Sequence, residues 1–275
     1  MSAAGMLPPG LLERFAALRD SGAAPAPCRD AATVVLLRDR PTGPEVYLLR
    51  RVQAMAFAGG MHVFPGGSVD PADAEAHVRW TGPSAARWAE ALGASEPLAR
   101  ALVCAAVRET FEESGVLLAG PSEHELLADV SGDEWEAERE ALEAREQSLS
   151  QLLERRGLVL RSDLLRPLAH WITPEVEPKR FDTRFFLAQL PAGQLCRDVG
   201  GEADDRVWVR PDQALEQRLA MLPPTVAVLQ DLLGAPDVAA ALAAPRTLAT
   251  VLPALVARAD GALALVLPGD PDYPS

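Results

Sequence analysis

The chain has 275 residues, of which 48% are hydrophobic, and 26 Lys and Arg against 39 Asp and Glu give a formal net charge of −13. This acidic balance argues against a nucleic-acid surface, because duplex binding depends on basic side chains that neutralise phosphates. The longest apolar runs, such as Ala262–Pro268, fall far short of the roughly 20 residues that a membrane span needs. We therefore expect a globular protein without a nucleic-acid or membrane partner.

Cysteine usage and targeting patterns favour the cytoplasm. The three cysteines, Cys28, Cys104 and Cys196, are far apart and form neither a disulfide framework nor a Cys-x-x-Cys metal pattern. Met1–Arg14 lacks the charged start and long apolar stretch of a secretory signal, and Asp272–Ser275 is not a Ser-Lys-Leu peroxisomal signal. We expect a cytoplasmic protein.

The N-terminal part of the chain predicts a loosely ordered arm followed by a β-hairpin. Residues 1–30 are rich in Ala, Pro and Gly and contain one short helical pattern, Leu11–Leu18. Ala32–Arg38 is a β-branched apolar run that is typical of a buried strand. A turn containing Pro and Gly separates it from a second predicted strand, Glu45–Arg51, and a short strand bracketed by glycines follows within Gly59–Gly67.

The next segment predicts two helices in succession. Residues 70–96 are again rich in Ala, Pro and Gly, with one helical pattern at Ala85–Leu92. A longer helix follows, for which Ser95 is a suitable N-cap, Pro97 fits the first turn and Gly115 is well placed to end it.

A charged segment, Asp133–Arg156, predicts one further helix. Its apolar residues Trp135, Leu142 and Leu149 recur at seven-residue spacing and form a single stripe on a charged surface. Such a helix either packs on the body of the protein with its charged side in solvent or forms the contact of a homodimer. We expect the first arrangement.

The rest of the chain alternates strands and helices. The predicted strands are Leu165–Trp171, Thr183–Leu190 and Arg206–Val209, and the predicted helices are Pro211–Leu219 and Pro224–Leu233. Alternating elements of this kind indicate an α/β layered fold.

Three carboxylates share one face of the helix that Gly115 ends. With Glu109 as origin on a helical wheel, Glu112 falls at about −60° and Glu113 at about +40°. The opposite side of that helix is apolar and would face the core; it comprises Val103, Cys104, Val107 and Phe111.

This carboxylate face is unfavourable by itself. The three charges repel one another at i,i+3 and i,i+4 spacing, and they lie at the negative end of the helix dipole. Arg108 offsets only part of the repulsion. Divalent cations would neutralise such a face, and ligands that are all oxygens suit Mg²⁺ or Mn²⁺. The alternative is an exposed acidic helix end, which is common in acidic proteins.

The surrounding residues resemble a known signature. Arg108–Val116 reads Arg-Glu-x-x-Glu-Glu-x-Gly-Val and, with Phe64–Gly67 upstream, resembles the Nudix hydrolase box. The first half of the box is interrupted by an insertion of about 27 residues. Arg100 stands where the box has its first glutamate, and Glu75 and Glu96 are the only candidates for that role.

An insertion of this kind resembles the branch of the Nudix family that includes coenzyme A diphosphatases. The stretches Trp171–Phe186 and Val207–Thr225 are similar to the central and closing segments of that branch. The resemblance implies an α/β/α sandwich around a mixed sheet at residues 31–235, with its insertion at about 70–96 beside the substrate. Residues 236–275 would form a C-terminal extension with additional helices.

The resemblance also implies roles for individual residues. The carboxylates of Glu109, Glu112 and Glu113 and the carbonyl of Gly67 would hold Mg²⁺ or Mn²⁺, while Arg108 would be a further catalytic residue and Gly66 would bind the substrate. Glycines there let the backbone approach the metal and the phosphates closely. The general base would be Glu113 or a carboxylate of the loop before the Arg206 strand, for which Glu202 is our choice.

Substrate-binding candidates are basic residues near this site. Arg50 and Arg51 end a strand before the Phe64–Gly67 loop and could grip a phosphate, although a strand-end arginine is more often solvated. We expect the substrate to be faced by Lys179, Arg180 and Phe181 as well. The alternative is a charged loop beside a core aromatic.

The implied reaction is metal-dependent hydrolysis of a phosphoanhydride in a nucleoside diphosphate linked to another group, with coenzyme A or acyl-coenzyme A favoured. The first alternative is a Nudix hydrolase of ADP-ribose, NADH or nucleotide sugars. The second is a non-catalytic module that senses nucleotides or binds a partner.

Overall fold

The structure is a computed structural model that describes residues 14–15, 24–55, 58–75, 78–200, 203–257 and 263–274. The predicted helix Leu11–Leu18 lies outside these residues apart from positions 14 and 15, and Glu202 lies outside them entirely. No helix in the described ranges is long and apolar enough to cross a membrane.

Strands and helices alternate along the chain. The strands are β1 (Cys28–Arg38), β2 (Glu45–Arg51), β3 (His62–Val63), β4 (Gly66–Ser68), β5 (Trp80–Thr81), β6 (Ala119–Gly120), β7 (Val159–Arg161), β8 (Arg166–Ile172), β9 (Arg180–Gln189), β10 (Ala203–Val209), β11 (Thr250–Val251), β12 (Ala254–Ala257) and β13 (Leu263–Val266). The helices are α1 (Pro71–Glu75), α2 (Ala85–Leu92), α3 (Glu96–Ser114), α4 (Asp133–Glu143), α5 (Leu149–Arg155), α6 (Pro211–Glu216), α7 (Pro223–Asp231) and α8 (Val238–Ala243).

The main sheet is mixed and has the strand order β10-β2-β1-β9-β8-β11, with β3 on β2 and β4 on β1. The β1–β2 hairpin is confirmed, with antiparallel partners at Leu37 and Val46. β1 begins at Cys28, before its predicted start, because its parallel pairing with β9 extends back to Arg180. The short strand predicted within Gly59–Gly67 is β3, which pairs with β2; a second short strand, β4, begins after Pro65, pairs with β1 and was not predicted.

The sheet separates two cores, and β1 contributes to both. Val34 and Leu36 belong to the core beneath α2 and α3, whereas Val35 and Leu37 belong to the core beneath α7 and α8. This alternation follows from the two-residue period of side chains along a strand. The molecule is therefore the α/β/α sandwich around a mixed sheet that the sequence predicts.

The boundaries of α3 are confirmed. The Ser95 hydroxyl accepts a hydrogen bond from the Leu98 N–H at 3.4 Å, and a proline occupies the first turn. Gly115 ends the helix in the left-handed region, with φ 71°, and donates its N–H to the Phe111 carbonyl at 2.9 Å. The inserted segment before it forms α1, β5 and α2, and the limits of α2 match the prediction.

The prediction of one charged helix over Asp133–Arg156 is wrong, because α4 and α5 are separate. Arg145 adopts a left-handed conformation, with φ 58°, which breaks the helix. Ser148 then begins α5 with a capping box: its hydroxyl accepts from the Gln151 N–H, and its own N–H donates to the Gln151 side chain. The Trp135 ring packs edge-on against Phe111 of α3, with centroids 6.5 Å apart, so α4 packs on the body as expected.

The C-terminal residues extend the sheet as well as the helical layer. Besides α8, which agrees with the predicted additional helices, β11 pairs in parallel with β8 at Thr250–His170 and Val251–Trp171. β12 and β13 form a separate antiparallel pair. These strands have two to four residues, too few for a periodic pattern to predict them.

Candidate active site

A cavity of about 1210 Å³ opens between the C-terminal half of α3, the β3–β4 loop and the α4–α5 turn. Its walls bring together the predicted box residues from two separate parts of the sequence. These are Gly66, Gly67, Arg108, Glu109, Glu112 and Glu113.

Arg108 lies at the centre of the carboxylate face. Its Nη1 donates to Glu109 Oε1 at 2.8 Å and to Glu112 Oε2 at 3.1 Å. Its Nη2 donates to the Ser68 carbonyl at 3.0 Å, which connects α3 to the glycine loop. One guanidinium therefore fixes the direction of two carboxylates and the position of the loop.

Asp73 completes this arrangement and was not predicted from the sequence. Its carboxylate, only 3% exposed, accepts from Arg108 Nε at 3.0 Å and from Nη2 at 2.9 Å. Asp73 also accepts from the Asp70 N–H at 2.8 Å, as part of the start of α1. The sequence signal is an Asp-x-x-Asp at the start of a short helix. The same pattern occurs at ordinary helix starts, so it does not reveal the contact with Arg108.

Of the two glutamates considered for the first position of the box, one lies away from the site, and the side chain of the other is outside the described residues. Glu96 is exposed in the first turn of α3, at the end of the helix remote from Glu109. The side chain of Glu75 falls outside the described residues. Among the acidic side chains that the structure describes, Asp73 is the one that accepts hydrogen bonds from both Nε and Nη2 of Arg108.

Burial raises the pKa of Glu112 to about 7, against the lowering effect of Arg108 and with a further rise from the charge of Glu109. Burial is therefore the main reason that the charged form of Glu112 is disfavoured, and the charge of Glu109 adds to it. This agrees with the repulsion argued from the helical spacing.

The two glycines of the loop are required by close packing. The Gly66 N–H donates to Glu113 Oε2 at 2.8 Å. A Cβ on Gly66 would lie 2.6 Å from the Ala32 carbonyl, and a Cβ on Gly67 would lie 2.5 Å from Glu109 Oε1. Any side chain at either position would collide with the sheet or displace a carboxylate.

The C-terminal end of α3 is held by two arginines from distant parts of the chain. Arg139 of α4 donates from Nη1 to the Glu112 carbonyl at 3.1 Å and from Nη2 to the Val199 carbonyl at 3.2 Å. The Arg197 N–H donates to the Ser114 carbonyl at 2.9 Å. The positive charge and the N–H donors of these arginines stabilise the C-terminal end of α3, which is the negative end of its helix dipole.

The residues present fit a hard divalent cation by their chemistry. The lining includes the carboxylate residues Glu109, Glu112 and Glu113 and the glycine loop, whose oxygens are of the kind that Mg²⁺ and Mn²⁺ prefer, and Gly67 leaves open the space that a Cβ would fill. Within the described ranges, no three acidic, His or Cys side chains are grouped so as to hold one metal ion. The reason is visible in Glu109 and Glu112, which turn toward Arg108.

Three of the predicted substrate-binding side chains line the same cavity. Arg51 lies at the end of β2, and Lys179 and Phe181 lie at the start of β9. The Lys179 ammonium sits 5.3 Å from the centroid of the Phe181 ring. A basic group and an aromatic face therefore stand together in the wall of the cavity that the carboxylates also line.

Arg50 and Arg180 do not line it. Arg50 points away, as alternation along β2 requires, and its Nε donates to Asp204 Oδ1 at 2.7 Å on the exposed surface. Arg180 is buried, with Nη1 on the Ala26 carbonyl at 2.9 Å and Nε on the Thr173 carbonyl at 3.1 Å. Both guanidinium groups are engaged in contacts within the fold.

The cavity continues into an apolar region that the sequence did not predict. Trp171 and Phe185 of the main sheet contribute to it, as do Leu222, Pro253 and Leu265 from the C-terminal part of the chain. A polar, acidic end and an apolar end thus belong to one continuous space.

Comparison with known families supports the resemblance. The family described as "NUDT19 Nudix domain" matches residues 81–227, which include the carboxylate helix. The crystal structure of a NUDIX hydrolase from Alicyclobacillus acidocaldarius is similar, with a TM-score of 0.65 and 32% identity over 82% of this chain and 98% of that one.

Two curated relatives are each named "Acyl-coenzyme A diphosphatase NUDT19". The Xenopus laevis protein is 27% identical over 205 residues, which cover 62% of this chain and 54% of that protein. The Gallus gallus protein is 28% identical over 254 residues, which cover 71% of this chain and 65% of that protein. The chain therefore spans less than two thirds of the length of these relatives.

Proposed function

Because this chain belongs to the Nudix hydrolase family, we propose that it hydrolyses a phosphoanhydride bond in a nucleoside diphosphate linked to another group. One observation carries the proposal: the carboxylate face of α3 and the Gly66–Gly67 loop line the same large cavity. A module that only binds a partner has no need of three mutually repelling carboxylates in such a cavity.

Glu109, Glu112 and Glu113, with the Gly67 carbonyl, would hold the divalent cation, Mg²⁺ or Mn²⁺. When bound, the cation supplies positive charge to the phosphates and lowers the pKa of a bound water. Arg108 orients Glu109 and Glu112, and the Gly66 N–H orients Glu113. The proton of the attacking water passes to Glu113 or Glu202.

The favoured substrate is coenzyme A or an acyl-coenzyme A. The names of the curated relatives support this choice, as does the form of the cavity. Arg51 and Lys179 supply positive charge for phosphates, and Phe181 offers an aromatic face. The apolar end at Trp171 and Phe185 suits the uncharged arm of such a substrate.

A substrate panel tests the proposal. Purified protein is incubated with coenzyme A, acyl-coenzyme A, NADH, ADP-ribose and nucleotide sugars, each with Mg²⁺, Mn²⁺ or EDTA, and products are identified by mass spectrometry. We expect metal-dependent cleavage of the diphosphate, fastest with coenzyme A compounds. Cleavage of ADP-ribose with coenzyme A inert would contradict the substrate choice, and no cleavage of any compound would contradict the activity.

Two further expectations stay predictions of the sequence. These are a cytoplasmic location and the division into an arm at residues 1–30, a domain at 31–235 and an extension at 236–275. A homodimer through the charged segment stays the alternative to a helix that is solvated on its charged side. The pairing of β11 with β8 joins the extension to the main sheet. The extension is therefore proposed as an integral part of the fold.

A further inference from the structure

Two arginines occupy the same strained position at two helix ends. Arg145 follows α4 with φ 58°, and Arg218 follows α6 with φ 52°. Each donates its N–H to the carbonyl three residues before it, Arg145 to Leu142 at 2.9 Å and Arg218 to Leu215 at 3.2 Å. Glycine is the residue that such left-handed helix ends favour, because a Cβ is sterically costly there.

The two arginines differ in what their side chains face. Arg145 lines the cavity that holds the carboxylate face, whereas Arg218 is exposed on a surface away from it. The side chain of Arg145 is 79% exposed, and its Nε lies 3.6 Å from Asp70 Oδ2, which is too long for a hydrogen bond. Its guanidinium is therefore exposed to solvent within the cavity lining and forms an ion pair with Asp70 without a hydrogen bond.

The neighbourhood of Arg145 connects it to the catalytic region. Asp70 begins the short α1, from which Asp73 reaches Arg108. Glu143, on the same turn as Arg145, is engaged by Arg139 at 2.7 Å. The turn thus places a cation in the lining of the cavity that also contains the carboxylate face, and of the two acids next to it Glu143 is paired with Arg139 while Glu146 is exposed.

We propose that Arg145 binds a phosphate group of the substrate, an inference that rests on the proposed function. Strained backbone at a cavity is typical of residues retained for their side chains. The planar guanidinium matches two phosphate oxygens at once, which suits a rim position above a diphosphate site. The bound group is either the scissile diphosphate or a separate phosphate monoester on the nucleoside.

The test compares Arg145→Gly with the matched control Arg218→Gly. Both substitutions relieve the same backbone strain, so both variants should show a similar, small change in Tm. Hydrolysis is measured with coenzyme A and with dephospho-coenzyme A, which lacks the 3′-phosphate. In parallel, calorimetry measures the binding of pyrophosphate and adenosine 3′,5′-bisphosphate to each protein in Mg²⁺.

We expect Arg145→Gly alone to raise KM by about tenfold, as loss of a charge-assisted hydrogen bond predicts. A rise with both substrates assigns Arg145 to the diphosphate, and a rise with coenzyme A alone assigns it to the 3′-phosphate. The concentration of Mg²⁺ for half-maximal rate should not change, because Arg145 is not a metal ligand.

An unchanged KM in Arg145→Gly, or an equal change in Arg218→Gly, would overturn the proposal and leave Arg145 as a helix end only. A fall in the Mg²⁺ requirement with unchanged KM would overturn it as well, in favour of charge neutralisation. If the wild type hydrolyses nothing, the proposed function fails, and the calorimetric comparison decides the assignment of Arg145. Equal binding to wild type and Arg145→Gly, or none to either, would overturn it.

Discussion

Asp73 lies 35 positions before Arg108 in the sequence and contacts its guanidinium through both carboxylate oxygens, at 3.0 and 2.9 Å. The inserted segment therefore supplies a side chain to the centre of the carboxylate face. From the sequence we expected this segment to border the substrate. Its contact with Arg108 extends its influence to the groups proposed to hold the cation.

The substitution Asp73→Asn should lower both stability and affinity for the cation. Breaking a buried ion pair costs about 3 kcal/mol of unfolding free energy, at the lower end here because Glu109 and Glu112 still contact Arg108. Without Asp73, Arg108 pairs more tightly with those two carboxylates and competes with the cation. Support groups of this kind affect metal affinity by about 10-fold or more.

Denaturant unfolding and the Mg²⁺ dependence of the rate measure these two effects. Asp133→Asn, at an exposed position in the first turn of α4, serves as the control and should change both by little. An Mg²⁺ dependence that is the same in wild type and Asp73→Asn would rule out a positioning role for Asp73.

The substitution Gly67→Ala should separate activity from stability. The added Cβ would lie 2.5 Å from Glu109 Oε1, the end of a flexible side chain that can move aside at small cost. The displaced Glu109 carboxylate would be out of place as a proposed ligand of the cation. Misplacement of such a group costs about 10²-fold in rate. Kinetics and thermal melts are compared with Gly132→Ala, where a Cβ meets no atom within 4 Å. A Gly67→Ala variant with normal kcat would show that this close approach is irrelevant to turnover.

A polar cluster on strands β8 and β9, formed by His170, Asp182 and Arg184, predicts that the stability of the fold depends on pH. Burial alone would raise the pKa of Asp182, but His170, whose Nε2 lies 2.6 Å away, and the charge of Arg184 hold it below its usual value. A carboxyl with a lowered pKa stabilises the fold above its unfolded pKa, and this contribution is lost as pH falls through the folded pKa. Asp30 is nearby, and burial and the charge of Asp182 raise its pKa.

The substitution Asp182→Asn should therefore cost about 2 kcal/mol near pH 7, less than for a fully buried pair because Asp30 remains near Arg184. The difference in unfolding free energy from wild type should shrink as pH falls below the ordinary pKa of an aspartate, about 4, toward the lower pKa of Asp182 in the fold. Denaturant titrations at several pH values measure it. A constant difference down to pH 3 would be inconsistent with a lowered pKa for Asp182.

Local patterns predicted much of the fold. The limits of β2 and α2 agree with the predictions Glu45–Arg51 and Ala85–Leu92, and α3 begins after Ser95 and ends at Gly115. These features depend on periodicity, caps and glycine, all of which act within a few residues. The common face of the three glutamates follows from helical geometry alone.

Features that depend on contacts between distant residues could not be predicted. Asp73 contacts Arg108, and Arg139 contacts the Glu112 carbonyl, only because the fold brings α1 and α4 to the end of α3. The break between α4 and α5 was missed because Arg145, and not a glycine, adopts the left-handed conformation. Arg50 was assigned with Arg51, although strand alternation sends one of the two outward.

The most direct test of the account is the kinetics of Glu113→Gln. The amide oxygen can still accept from the Gly66 N–H, and size and helix propensity hardly change, so the fold should be preserved. Loss of one charge from the repelling face should leave the metal-free protein slightly more stable. The proposed cation site loses a charged ligand, so kcat should fall on the order of 10²-fold or more.

Steady-state rates with Mg²⁺ and melts in EDTA and in Mg²⁺ are measured for wild type, Glu113→Gln and the control Glu96→Gln, an exposed position at the other end of α3. We expect Glu113→Gln alone to lose turnover and stabilisation by Mg²⁺. Near-normal Mg²⁺-dependent hydrolysis by Glu113→Gln would contradict the proposed cation site and leave the carboxylate face as an acidic helix end.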